Sequence, residues 1–240
     1  MKKAFAILAV TLIGATTLNA QSDNSVRLGI KVSPNMAWIR TDTKGLESDG
    51  SLIGYSFGLM AEFPFGANGN YRFATGLTLL NIGGKTETSY EVDSSSVVTS
   101  VRSIQKTRLR YIEIPLALKL MTNEIGYMRY FGQLGFDAGV NLRAKQDIET
   151  VTTTNNVSTT ATVDEDDVKD EVNPVKLGFQ IGGGAEYNFS GSTSMLIGIA
   201  YHSSFTTLFK KGTFNTDDTT LLYKAKTYAD YFELSLGVYF

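Results

Sequence analysis

Apolar and polar side chains alternate with a period of two in eight separate stretches of this chain. Such alternation gives an extended strand one oily face and one polar face. The first stretch, Val26 to Trp38, sets Leu28, Ile30, Val32 and Met36 against Arg27, Gly29, Lys31, Ser33 and Asn35. The second sets Ile53, Tyr55, Phe57, Leu59 and Phe63 against Gly54, Ser56, Gly58 and Glu62, and the third sets Tyr71, Phe73, Leu77 and Leu79 against Arg72, Ala74, Gly76 and Thr78. In the fourth, Ile112, Ile114, Leu116, Leu118 and Leu120 oppose Tyr111, Glu113, Ala117 and Lys119. The fifth runs from Met128 to Leu142, with Arg129, Gln133, Asp137 and Asn141 on the polar side, and the sixth covers Val175 to Phe189, with Lys176, Gln180 and Glu186 there. The seventh spans Met195 to His202, and the eighth alternates Phe232, Leu234, Leu236, Val238 and Phe240 with Glu233, Ser235, Gly237 and Tyr239. Each oily face continues for about 9–11 residues without a charge, the length a tilted strand needs to cross a bilayer. Pro34 and Pro115 fall inside strands and each removes a ladder hydrogen bond, which predicts a bulge or local break at both.

The connections alternate in length. Residues 66–70, 122–126 and 190–192 are short, whereas 39–51, 82–106, 143–173 and 204–226 are long. Tight turns at one end and long loops at the other are the pattern of bacterial membrane barrels, with turns in the periplasm and loops outside. The expected fold is therefore all-β: an eight-stranded antiparallel transmembrane β-barrel with short periplasmic turns and long extracellular loops. Aromatics support it. Phe63, Phe65, Tyr71, Phe73, Tyr130, Tyr187, Phe189 and Phe240 fall near one set of strand ends, and Trp38, Tyr55, Phe57, Tyr201 and Phe232 near the other. Two belts around an aliphatic band are what interfacial anchoring needs.

The amino-terminal end changes the expected location. Met1-Lys2-Lys3 is basic, Ala4 to Ala15 is mostly apolar, and small or polar residues continue to Ala20. That order is a secretory signal peptide with cleavage expected near Ala20, leaving residues 21–240 as one barrel domain. Without the two signal lysines, 20 basic side chains face 24 acidic ones, a balance of about −4 that does not favour a nucleic-acid partner. The chain has no Cys, which excludes disulfides, thiolate metal sites and a Cys nucleophile. Its 23 Gly and 26 Phe plus Tyr suit short twisted strands.

The polar faces collect Arg27, Lys31, Glu62, Arg72, Glu113, Lys119, Arg129, Asp137, Lys176, Glu186 and Glu233. Eight strands enclose a space that side chains can fill. Six basic against five acidic groups predicts a salt-bridged polar plug rather than an ion path. Inward glycines such as Gly58, Gly76, Gly178 and Gly182 would relieve crowding in it.

The terminal strand ending on Phe240 resembles the last strand of bacterial outer-membrane β-barrels, where a final aromatic is part of the insertion signal. Arg110-Tyr111-Ile112-Glu113-Ile114-Pro115-Leu116-Ala117-Leu118-Lys119 resembles the recurrent Tyr-Leu-Glu-Ile-Pro-Leu-Leu-Leu-Lys strand of the small outer-membrane β-barrel family common in Bacteroidetes, often labelled PorT-like. The Gly-rich stretches 132–142 and 178–187 fit the same family, so the resemblance covers nearly the whole chain after residue 20. It implies residence in the outer membrane, lipid as the surrounding partner, and envelope or secretion-system proteins as further partners; the family's namesake acts in assembly of a secretion system.

Three function classes follow. The first is a structural, interaction or envelope-assembly protein with a plugged lumen, the reading preferred here; the second is a narrow transport channel. The third is an enzyme resembling the outer-membrane lipid A deacylases, whose His-x-Ser with a Glu would correspond to His202, Ser204 and Glu233. Phase places His202 and Ser204 inward, away from lipid, and Phe205 stands where that motif has Asn. The expectation is a non-enzyme with no catalytic, cofactor-binding or metal-ligating residues and no cofactor. Residues 149–171, Thr-rich and then acidic, offer oxygens to calcium but lack the Gly turn of an EF-hand and read as a solvated loop. Asn156-Val157-Ser158 matches a glycosylation sequon, a pattern common by chance.

Overall fold

The computed structural model describes residues 25–240 except 44, 66–68, 95–96, 156, 191–192 and 211–225. The expected signal peptide and Asn156 of the sequon therefore lie outside the described residues. Nine strands are present among the described residues: β1 (Arg27–Thr41), β2 (Leu46–Phe65), β3 (Tyr71–Ser94), β4 (Val97–Met121), β5 (Met128–Thr154), β6 (Val157–Asp167), β7 (Val175–Ser190), β8 (Thr193–Ser204) and β9 (Thr227–Tyr239). Eight of them close a ring in the order β1-β2-β3-β4-β5-β7-β8-β9, all neighbours antiparallel, with β9 returning to β1. Closure runs from Gly29↔Tyr239 to Thr41↔Thr227, which pairs the last strand with the first as the terminal alternation requires.

The outer surface reproduces the alternating pattern. Ile30, Leu59, Leu77, Ile114, Leu134, Ile181, Ile199 and Leu236 all stand exposed, and Ile53 is 88 % exposed. On β2 the apolar face from Ile53 to Phe63 extends about 33 Å along the strand, or about 25 Å of height at a 40° tilt. A continuous apolar band of that height is unfavourable in water and matches a bilayer's hydrocarbon core. Aromatic rings cap it at both edges. Trp38, Tyr201 and Phe232 form one cluster, with centroids 5.2–6.3 Å apart, and Tyr187 packs edge-on to Phe189 at the opposite edge, 5.0 Å between centroids.

Two expectations are corrected, that of loops at 82–106 and 143–173 and that of a solvated loop at 149–171. Stretches 82–106 and 143–173 are not simply loops: β3 and β4 run on as a hairpin pairing to Ser94↔Val97, and β5 continues to Thr154 before folding back as β6. These extensions alternate polar and weakly apolar side chains such as Thr86, Thr88, Thr150 and Thr152, so they carry β-propensity without an oily face. Above the band no lipid contact demands one. The Thr-rich and acidic run is accordingly part of an ordered strand pair, and β6 is a ninth strand outside the ring. The prolines give the second of the two outcomes expected, a local break: the ladder lapses beside Pro34 toward β9 and beside Pro115 toward β3, and the register resumes unchanged, without a bulge.

A filled lumen as the candidate functional site

Inward-facing positions from different strands meet in three layers. The layer nearest the short turns is built around Glu62 on β2 and Lys119 on β4. Lys119 Nζ lies 2.5 Å from Glu62 Oε1 and also bonds Glu186 from β7, and all three side chains are buried. Arg27 of β1 reaches Glu186 at 2.7 Å and Glu62 at 3.5 Å, and bonds Ser194 as well. Arg72 of β3 stands 3.5 Å from Glu62, and the Tyr239 hydroxyl donates to the same carboxylate at 2.7 Å. The Lys119 ammonium sits 4.1 Å from the Phe131 ring centre and Arg27 4.4 Å from that of Tyr239, so the cations are also held by π-faces.

The middle layer joins two sub-networks. Lys31 pairs with Glu233 at 2.6 Å, and Ser56 and Ser235 donate to that carboxylate, each at 2.8 Å. Opposite them, Lys176 pairs with Glu113 at 2.6 Å, which also accepts the Tyr231 hydroxyl at 3.1 Å. Asp137 lies 2.7 Å from His202 Nδ1 and accepts Gln180 at 2.8 Å, while the imidazole stacks on Tyr231 at 4.3 Å and 6°. Across both layers, Arg27, Lys31, Arg72, Lys119 and Lys176 face Glu62, Glu113, Asp137, Glu186 and Glu233. Charge is balanced within the low-dielectric lumen, which is what lets it be filled with ions at all.

The layer nearest the long connections is apolar. Ala37, Ile39, Leu80, Ile82, Leu109, Ala144 and Ala229 line the wall, and Val168, Val172, Leu208 and Phe209 fold in from the connections after β6 and β8. Backbone bonds pin these segments, with Asn173 N donating to Leu208 O at 2.8 Å and Leu208 N to Thr227 O at 2.7 Å. The Asn173 amide also donates to the carbonyls of Thr207 and Phe209, at 2.7 and 3.2 Å. Between the layers remains a cavity of about 70 Å³ bordered by Lys31, Gln133 and Glu233. That is room for a few waters.

Ten of the eleven charged residues expected inside take part in these layers. Arg129, the eleventh, sits at the short-turn rim, 3.3 Å from Glu124 of the 122–126 turn, where its strand begins. Sequence reasoning missed the apolar layer, the buried Tyr231 and the hydrogen bonds that chain Gln133 to Gln180 and Asp137. Tyr111 and Tyr239 are buried inward, as their polar phase in the fourth and terminal alternations indicates.

His202 and Ser204 are both buried inward, as their phase indicates. The carboxylate on His202 is Asp137, not Glu233, and the Ser204 hydroxyl is taken up by the Ala229 backbone at 2.9 and 3.0 Å. A nucleophile–base pair is not assembled from these two residues. Glu113, Asp137 and His202 bring one donor atom each within 4.8 Å of one another, a possible divalent-cation set. The Lys176 ammonium already contributes a positive charge at Glu113, so a cation there would have to displace it.

Comparison with known proteins follows the fold. Residues 19–175 match the model of a family described as outer membrane protein beta-barrel domain. Similar solved structures include Neisserial surface protein A (12 % identity, 90 % of this chain and 97 % of that one, TM-score 0.40). The attachment invasion locus protein Ail of Yersinia pestis is 13 % identical over 89 % of this chain and 98 % of that one, with a TM-score of 0.34. For the outer membrane protein OprG of Pseudomonas aeruginosa the values are 12 %, 90 %, 94 % and 0.38. No curated protein matches the chain.

Proposed function

The chain belongs to the outer membrane protein beta-barrel domain family, and from that premise we propose that it is an integral outer-membrane anchor whose closed barrel holds a rigid β-sheet extension outside the cell for contact with other envelope components. One observation carries the reading: among the described residues the lumen holds matched charges in two layers and an apolar cluster in the third. A transporter needs a path, and a cavity of about 70 Å³ beside Lys31 and Glu233 gives little room for one. The extension supplies the other half of the argument. β3 and β4 project about 40 Å beyond the row through Asn81 and Arg110, and β5 and β6 lie beside them, giving a four-stranded sheet with polar faces. Its outer strand β6 is exposed along its whole length and, among the described residues, its ladder runs to β5 alone, leaving an edge that another extended chain could join.

The PorT-like resemblance of the Tyr111–Lys119 strand agrees with a role in envelope assembly, with secretion-system proteins among the partners. Reconstitution in planar bilayers tests the anchor directly. The purified barrel should stay silent at moderate voltage, and steady unitary openings would favour the narrow-channel reading instead. Crosslinking in native membranes through β6 would then identify what the sheet touches.

A further inference from the structure

Immediately above the apolar band, the outward face of β3, β4 and β5 turns basic. Lys106, Arg108 and Arg110 share this face because Thr107 and Leu109 between them are buried. Across the β4–β5 ladder Arg110 stands opposite Arg143 and Arg108 opposite Lys145, and across β3–β4 Lys106 stands opposite Lys85. Three like-charged pairs in successive rows of one face are unfavourable in the protein alone. A β-bulge contributes to the arrangement: the register shifts between Arg110 and Tyr111, the extra residue on β5 is Leu142, and both Leu142 and Arg143 are exposed. Bulges commonly re-aim a side chain in this way.

Local acids answer only part of the charge. Asp147 holds Arg108 at 2.6 Å and Lys106 at 3.9 Å, and Glu165 bonds Lys145 and lies 3.8 Å from Arg108. Arg110 donates to the neutral amide oxygen of Asn81 at 2.8 Å. The Arg143 guanidinium makes no salt bridge or hydrogen bond with the described residues. These side chains border a groove of about 420 Å³ whose other wall is apolar, formed by Ile53 and Tyr55. Exposed Ile112, Val140 and Leu142 lie directly below, on the band itself.

Cationic rows above an aliphatic surface are complementary to an anionic amphiphile, head up and chains down. We propose that this face binds the phosphorylated headgroup of a lipid in the leaflet at the long-connection end. The inference rests on the membrane-spanning reading above, since the groove meets lipid only if the apolar band lies in a bilayer. Arginine forks suit phosphate oxygens, and juxtamembrane basic residues draw anionic headgroups.

The test uses the intact barrel in phosphatidylcholine nanodiscs, supplied with lipid A bearing both phosphates or with the same lipid dephosphorylated, and bound lipid is counted by native mass spectrometry. Wild type should retain the phosphorylated form selectively. Arg143→Gln should weaken retention about fivefold and Arg110→Gln with Arg143→Gln about 25-fold, whereas Arg102→Gln, on the hairpin farther out, should leave it unchanged. Arg143→Gln breaks no hydrogen bond or salt bridge with the described residues, so folding loss should not mask its effect. Equal retention by wild type and double variant, or of the two lipids, would overturn the proposal, as would competition by soluble pyrophosphate at equal concentration. Failure of the wild type to enter nanodiscs would instead refute the membrane-spanning reading.

Discussion

Lys119 on β4 and Glu62 on β2 meet across the lumen at 2.5 Å, both side chains wholly withdrawn from solvent and separated in the ring by β3. A pair like this costs much desolvation to form and is expensive to break on one side only. Lys119→Met would leave Glu62 and Glu186 to the more distant Arg72 and to Arg27, and the two polar layers together with four cations against five carboxylates. The expected loss is about 3 kcal/mol, at the low end for breaking a buried pair because the arginines remain. Urea unfolding in lipid vesicles would measure it. Adding Glu186→Gln to Lys119→Met should recover part of the loss, and a double variant no more stable than Lys119→Met would show that the ions are not coupled.

Gly184 on β7 fits under its neighbours with no space for a side chain. A Cβ there would stand 2.1 Å from Ile197 O, 2.6 Å from Gly198 Cα and 2.9 Å from the Phe131 ring. Gly184→Ala should therefore destabilise by about 1–3 kcal/mol, and its effect should appear in the Phe131–Lys119 layer. Gly132 one pair away, with nothing within 4 Å of its Cβ position, is the matched control and should tolerate alanine. Comparable losses at both sites would mean that strand propensity, rather than crowding, sets the cost.

The ring was legible because a membrane strand must put apolar atoms on every second residue, so Phe232 to Val238 or Ile112 to Leu120 announce themselves. The same demand fixed the phase of the polar residues, and with it Arg27, Glu62, Arg72, Lys119 and Glu186 as one interior. Beyond the band that demand ends. Thr86, Thr88, Thr150 and Thr152 are as strand-like as Ile53 but carry no pattern that distinguishes strand from loop, so the extension and β6 went unread. The apolar seal was hidden for another reason. Ile39, Leu80 and Leu109 lie on the phase that is polar lower down, where Trp38-Ile39 and Leu79-Leu80 break the alternation as adjacent apolar pairs. Val168, Val172 and Leu208 come from connections whose return into the mouth no local pattern specifies.

On the extension, Arg102 holds Glu87 through two hydrogen bonds of 2.5 and 2.6 Å and keeps its carboxyl below the ordinary range. A depressed folded value means that the stabilisation is present above the unfolded carboxyl pKa of about 4.3 and is lost as pH falls through the folded value. The pair is exposed and its effect is local. Amide exchange in residues 85–92 and 99–106, corrected for intrinsic rates, should therefore be more protected at pH 6 than at pH 3, and Glu87→Gln should flatten the difference. An unchanged difference in that variant would assign it to other groups.

The apolar seal and the polar layers beneath it should fail independently, because they are closed by different forces. Val172 is buried among Leu208, Phe209 and the wall, so Val172→Asp would place a carboxylate with no partner in apolar surroundings, a cost of several kcal/mol if the segment stayed docked. Local undocking of 168–173 and 205–210 is the cheaper response, since these segments join the ring through individual bonds such as Val168 N to Ala144 O and Leu208 N to Thr227 O rather than through a continuous ladder. The variant should thus expose both segments to protease and to amide exchange while the ring keeps its protection. It should also remain electrically silent, because Lys31–Glu233, Lys176–Glu113 and the Lys119–Glu62–Glu186 cluster still block the lumen below. If Val172→Asp instead conducts steadily, the polar layers are permeable and the seal alone closes the barrel, which would make the mouth a gate and reverse the choice between anchor and channel.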